Sequence, residues 1–212
     1  MQIRGIDLAR RLVRTLPETS AGLFNPWRSR CEHDLLPDAA AQRLERLGEH
    51  LDCSPRLILI GEACGYQGCR YSGIAFTSEK LLSAGAIPRI ESTGRLTSRE
   101  LPFSEPSATI VWRQLHAMGM EQRAVLWNTL PLHPHLQGKP WTNRTPTPAE
   151  FEAGKAALAG LLEAFPRARI VAVGRHAGMR LRTLTSRSIH DVRHPARGGA
   201  TLFASGLSAL VG

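Results

Sequence analysis

The amino-acid sequence predicts an α/β fold, with three α/β/α layers around a mostly parallel four-stranded central sheet. Three observations carry that expectation. Short apolar runs at residues 57–60, 124–127 and 169–173 read as strands buried on both faces. Segments with helical apolar spacing lie between them, so strand and helix alternate as in βαβ units. The runs end in glycine or a polar residue, at Gly61-Glu62, Asn128 and Gly174. The carboxyl ends of parallel strands share one edge, and ligands bind there in such sheets.

Taken in order, residues 6–16 read as a short helix closed by Pro17, followed by an aromatic loop at Leu23-Phe24-Asn25-Pro26-Trp27 that should pack over the body of the protein. Ala41, Leu44, Leu47 and Leu51 have the spacing of an amphipathic helix over 38–51. Residues 57–60 form the first strand, which runs into a loop with glycines at 61, 65 and 68 and with Glu62 as its first side chain. Thr77-Ser78-Glu79 signals a helix start. Residues 85–105 are polar and interrupted by glycine and proline, which predicts a long surface segment. A helix over 107–118 precedes the second strand, 124–128; a polar loop then leads to a helix opened by Pro148 and reaching Phe165. The third strand, 169–174, is followed by a helix over 175–184, a weaker fourth strand over 188–193 and a last helix over 200–210. No repeat or low-complexity tract divides the chain, so a single unit over 1–212 is expected, with 1–52 as a helical and looped extension packed on it.

The 212 residues are 42% hydrophobic and 21% charged, the balance of a globular protein with a sizeable core. No apolar run reaches the roughly 18 residues of a membrane span. The first seven residues lack the apolar core of a secretory signal, so a cytoplasmic protein without a membrane partner is expected. Net charge is +9, from 27 basic and 18 acidic residues. From Ala164 onward there are eight arginines and only Asp191 as an acid, so this tail carries +7 of that total. A one-sided positive field suits a polyanion, nucleic acid above all. The cysteines at 31, 53, 64 and 69 form no C-x-x-C pair, so free thiols are expected and no metal or cofactor.

Glu62, Phe76, Asn128 and His194 fall at or just beyond strand ends, where residues distant in sequence converge. Here the chain resembles the uracil-DNA glycosylase superfamily, from about Leu57 to the C-terminus. Gly61-Glu62-Ala63-Cys64-Gly65 resembles the first motif, in its Gly-Glu-Ala-Pro-Gly form. Gly73-Ile74-Ala75-Phe76-Thr77 resembles the segment whose phenylalanine stacks on the extruded uracil. Leu126-Trp127-Asn128 resembles the strand whose asparagine reads the base edge, and His194-Pro195-Ala196 the histidine motif of the DNA-inserting loop.

The resemblance implies hydrolysis of an N-glycosidic bond in DNA carrying uracil or another deaminated base, by a monomer, after base flipping. It implies base contacts from Phe76, Asn128, Gly61 and Ala63, with Glu62, His194 and Asn128 as the catalytic set. His194 would donate to the base oxygen where charge develops, and Glu62 would orient water against the sugar's positive charge. Arg197, Arg193, Arg175 and Gly198 are the expected DNA contacts. Two departures stand out. Ala63 occupies a position where many members carry aspartate or asparagine, and Cys64 replaces the usual proline. The cysteine spacing also departs from the cluster-binding branch, so no iron–sulfur cluster is carried over.

The rival readings are a DNA- or nucleobase-binding protein with weak or no glycosylase activity, which Ala63 favours, and a nucleotide-binding enzyme. The latter has glycines after a strand and Glu79 18 residues beyond Gly61, but G-x-x-x-G-x-x-G is not the dinucleotide spacing. A metal site on His133 and His135 is weaker still, because Pro134 between them marks a rigid turn.

Overall fold

A computed structural model describes residues 5–91 and 94–210. Two positions of the expected 85–105 segment, the first four residues of the N-terminal stretch and the last two of the chain therefore lie outside the described residues. The central sheet has four parallel strands in the order β3-β2-β5-β6, formed by Leu57–Ala63 (β2), Ala124–Leu130 (β3), Arg169–Val173 (β5) and Ile189–Val192 (β6). A two-residue antiparallel ladder joins Leu23–Phe24 (β1) to His133–Pro134 (β4). The expected α/β/α architecture is what the chain adopts.

Side chains alternate across the sheet, and two apolar layers result. Ile58, Ile60, Val125, Trp127, Ile170 and Ala172 face one layer, which helices Gly5–Arg14 (α1), Pro148–Ala164 (α6) and Arg175–Leu184 (α7) complete. Leu57, Leu59, Leu126, Val171 and Val173 face the other, covered by Pro106–Ala117 (α5) and Ala200–Ser208 (α8). Trp27 from the aromatic loop stacks on Trp127 with ring centroids 5.7 Å apart, as the sequence leads one to expect. Helix α1 packs on Ala39–Leu51 (α2) and on α6.

Strand β3 lies at the sheet edge, where an outward N–H lacks a strand partner. His50 of α2 supplies one, its Nε2 accepting from the Leu126 N–H at 2.9 Å. Burial and the neighbouring Arg89 push that imidazole down to about 3, so it stays neutral and keeps the acceptor lone pair.

The 85–105 segment lies largely at the surface, as expected, and is tied to the body at a few buried positions. Ile87, Leu96, Thr97 and Phe103 are buried, and a single carboxylate organises the backbone at the last three. Glu79, first residue of the short helix Glu79–Ser83 (α4), which follows the single turn Cys69–Ser72 (α3), is fully buried. Its Oε1 accepts from the N–H groups of Leu96 and Thr97, both at 3.0 Å, and from Arg95 Nε at 3.1 Å. Its Oε2 accepts from the Thr97 hydroxyl at 2.7 Å and the Phe103 N–H at 3.0 Å. Burial alone would raise this carboxyl, but the hydrogen bonds prevail and hold it below its ordinary value. A carboxylate so engaged is not free to hold a ribose, which removes the nucleotide-binding reading of Glu79. Thr77 and Ser78 are fully buried too, so the start of α4 offers no exposed N–H groups to a phosphate.

His133 is likewise structural. Arg70 Nη1 donates to its Nδ1 at 2.9 Å, which leaves Nε2–H to donate to Thr142 O at 3.0 Å and Asn143 Oδ1 at 3.1 Å. Those bonds pin the loop that leads to α6. Arg144 of the same loop grips Glu150 at 2.6 Å, and Glu150 closes a capping box with Thr147. The guanidinium holds the Glu150 carboxyl down to about 2.

Glu79→Gln replaces a charged acceptor of five hydrogen bonds with a neutral group carrying one acceptor oxygen. It is expected to cost about 2–4 kcal/mol in urea denaturation at neutral pH. Because the folded carboxyl titrates below the unfolded one, its contribution is present above the ordinary glutamate range and fades as the pH falls through the folded value. The gap between wild type and variant should shrink in acid.

Candidate active site

The register of the parallel strands sets the site. Gly61 pairs with Asn128 and Ala63 with Leu130. Both strands run further than their apolar cores suggest, so Glu62 is the penultimate residue of β2 rather than the first residue of a loop. Its carbonyl accepts from the Thr129 hydroxyl at 2.7 Å, which fixes the backbone there. Strand β5 ends at Val173 before Gly174, and β6 at Val192 before Arg193 and His194. Along this carboxyl edge runs a cleft of about 660 Å³ lined by Glu62, Ala63, Phe76, Asn128, Arg175, Arg193, His194 and Arg197. Of the expected site, Gly61 and Gly198 alone are not in its lining; Gly61 lies beneath it and Gly198 beyond Arg197 on the loop.

At the floor, Gly61 lets two side chains meet. A Cβ there would stand 2.5 Å from Asn128 Oδ1 and 2.7 Å from Phe76 Cζ. Phe76 has φ 49°, the left-handed region that costs a side chain of this size free energy, and buried Ala75 and Thr77 hold it there. Asn128 is 4% exposed, and its amide makes no hydrogen bond with any described residue. Neither amide atom is among the buried atoms that lack a partner, so both open onto the cleft, where a ligand that presents a donor and an acceptor can pair with them.

His194 lies across from that floor, its ring centroid 6.0 Å from that of Phe76. The Ala196 N–H donates to its Nδ1 at 3.1 Å, so the ring proton sits on Nε2. Burial and Arg193 push this imidazole down, against the opposing pull of Glu62, which favours the neutral ring. The loop beyond turns back sharply: Arg197 and Gly198 have φ 54° and 75°, and the Gly199 N–H donates to Ala196 O at 3.1 Å. Arg197 is thereby left exposed at the rim.

Three features escape the sequence reading. His176, second residue of α7, places Nδ1 2.7 Å from Glu62 Oε1. Nothing local in the sequence marks it, since it lies in the first turn of a helix and meets Glu62 only through the packing of α7 on β2. Glu105 enters the cleft wall from the start of α5, its carboxylate packed on Gly68 and accepting from the Ser107 hydroxyl at 2.9 Å. Burial pushes that carboxyl up to about 7. Asn143, Arg144 and Thr145 close the cleft from the loop that His133 pins.

The basic tail does not form one face. Arg175, Arg193 and Arg197 reach the cleft, whereas Arg182 pairs with Asp191, Arg187 donates to the carbonyls of Leu162, Phe165 and Ala168, and Arg180 stacks over Phe151. Arg167 and Arg169 lie in a groove at the amino ends of the strands, with Arg56 and Arg123. The cysteines are free thiols, and no group of three or more His, Cys, Asp or Glu converges for a metal among the described residues.

Fold and strand-end cleft together define a three-layer α/β/α protein with its site on the carboxyl edge of a four-stranded parallel sheet. Residues 49–201 match the model of the Uracil DNA glycosylase superfamily, and the chain belongs to that superfamily of DNA glycosylases. It is similar in fold to wild-type SMUG2 of Pedobacter heparinus, with a TM-score of 0.65 and 15% identity over 97% of this chain and 96% of that one. No curated protein sequence matches it.

Gly61→Ala forces Asn128 and Phe76 apart. Overpacking of this kind is expected to cost about 1–3 kcal/mol in chemical denaturation. The Asn128 side-chain amide resonances should shift in the variant, while those of Gln114, which donates to the Ser208 hydroxyl, stay in place.

Proposed function

We propose that this protein excises uracil, or another deaminated base, from DNA by hydrolysing the N-glycosidic bond after the nucleotide has been flipped from the stack. The observation that carries the reading is the Asn128 amide, nearly buried, without a protein partner, and beside the Phe76 ring over a bare Gly61. An amide at that place can accept from N3–H and donate to O4 of uracil, while cytosine presents the opposite pattern. Gly61 and Ala63 keep the floor low enough for the base, and Phe76 offers it an aromatic face.

Cleavage leaves negative charge on the departing base and positive charge on the sugar. His194, with its proton on Nε2, is a neutral donor suited to the base O2. Glu62 supplies the carboxylate that orients water and opposes the sugar's charge. Arg175, Arg193 and Arg197 are placed for phosphates, and Gly198 lets the rim loop turn without a side chain in the way of the strand.

A second reading, DNA or nucleobase binding without chemistry, is favoured by Ala63, which puts a methyl group where a polar one would help hold water. Incubation with oligonucleotides carrying uracil, hypoxanthine or xanthine, followed by alkali, separates the two. Strand scission is expected, and its absence on every substrate from folded protein leaves the binding reading. Asn128→Ala and His194→Ala should each lower the single-turnover rate by about a hundredfold or more. Arg197→Ala should weaken DNA binding on every sequence and reduce the slope of log affinity against log salt by about one.

A further inference from the structure

The Glu62–His176 contact has a direction. Glu62 as a carboxylate has only lone pairs to offer, so the hydrogen shared over 2.7 Å belongs to His176 Nδ1. In a neutral ring that leaves Nε2 as an acceptor. Neither Nε2 nor Glu62 Oε2 has a hydrogen-bond partner among the described residues. Both residues line the cleft, half-exposed, with side-chain exposures of 45% for His176 and 34% for Glu62. The arrangement is held from behind. Thr129 clamps the Glu62 carbonyl, and Ala177, next to His176, is fully buried in the core.

The charged and titratable groups around the imidazole come from five elements. Glu62 faces it from β2. Arg175 and Arg180 share its helix, the latter drawn away over Phe151. Arg193, His194 and Arg197 lie on the loop after β6, and Arg144, paired with Glu150, on the loop before α6. Glu105 stands in the wall of the same cleft. Glu62 is the carboxylate in contact with the ring.

Building on the glycosylase reading, we propose that His176 is the base that deprotonates the attacking water, with Glu62 as the residue that positions it. The same division of labour holds wherever a carboxylate fixes an imidazole tautomer and stabilises the imidazolium that forms. The step balances. Water oxygen bonds to the sugar C1′ as the C1′–N bond breaks, and that bond's electron pair leaves with the base, held by His194 Nε2–H. The water proton passes to His176 Nε2. The ring becomes an imidazolium whose Nδ1–H stays on Glu62, and the proton is then lost to solvent. Nothing is oxidised or reduced. A second polar group is thereby supplied from α7 beside a β2 end where Ala63 has none.

The test is single-turnover excision of uracil against pH for wild type, His176→Ala, Glu62→Gln and Glu105→Gln, with DNA affinity measured in parallel. Wild-type rates should fall in acid, where a base already carries its proton. His176→Ala should lose about a hundredfold or more at neutral pH, with that fall abolished and DNA affinity kept. Glu105→Gln should keep the fall. A His176→Ala protein with the wild-type rate, or one slowed with the same acid limb, overturns the proposal, as does loss of the limb in Glu105→Gln. So does a rate loss matched by lost DNA affinity. A wild-type protein inactive on every substrate overturns the glycosylase reading and this inference with it, whereas an active wild type indifferent to His176 overturns this inference alone. A readout independent of turnover is the nitrogen NMR of His176: Nδ1–H in wild type, reverting toward Nε2–H in Glu62→Ala. A wild-type ring already protonated on Nε2 alone contradicts the pairing.

Discussion

The parallel pairing of β2 with β3 sets Gly61 opposite Asn128, and the cleft is built outward from that pair. Because Gly61 has no Cβ, the Asn128 amide and the edge of the Phe76 ring come together in space that any other residue would fill. The strands carry the pair to the edge of the sheet, and the apolar layers on both faces keep it from moving. The positive φ of Phe76 is tolerated because its neighbours are buried on each side and leave the backbone no other course. The amide, unpaired within the protein, opens onto the cleft where a bound base would meet it.

The rest of the cleft is held by polar groups used structurally. Glu79 anchors a polar segment to the body; His50 completes the outer edge of β3; His133 and Glu150 pin the loop that carries Asn143 and Arg144. In each case a polar group is engaged with backbone or with an opposite charge, as low dielectric demands of the buried ones, Glu79, His50 and His133. Asn128 is the contrast. Engagement within the protein marks a group as scaffold, and its lack in a cleft marks a group as available to a ligand.

Much of this was legible in the sequence. The strands announce themselves because residues buried on both faces must be apolar, and the strand-end rule then singles out Glu62, Asn128 and His194. Strand ends were misjudged, since Glu62 and Thr129 are polar and still hydrogen-bonded within the ladder. The 85–105 segment reads as surface and is largely that; what its own residues do not announce is the Glu79 carboxylate that anchors it. His176 was passed over because a histidine in the first turn of a helix carries no local mark; only the approach of α7 to β2 gives it Glu62. The basic tail misled in the other direction. Composition counts charges, but Arg182, Arg187 and Arg180 are spent on Asp191, on carbonyls and on Phe151 before any DNA arrives.

That Asn128 reads the edge of a base stacked on Phe76 is the claim on which the functional reading turns. It is tested most directly by titrating free uracil to millimolar concentration into protein labelled with nitrogen-15 and following the side-chain amides. A saturable shift of the Asn128 amide protons, lost in Phe76→Ala, is the result predicted. An Asn128 amide that stays in place while uracil shifts resonances elsewhere, or shifts none, would contradict it.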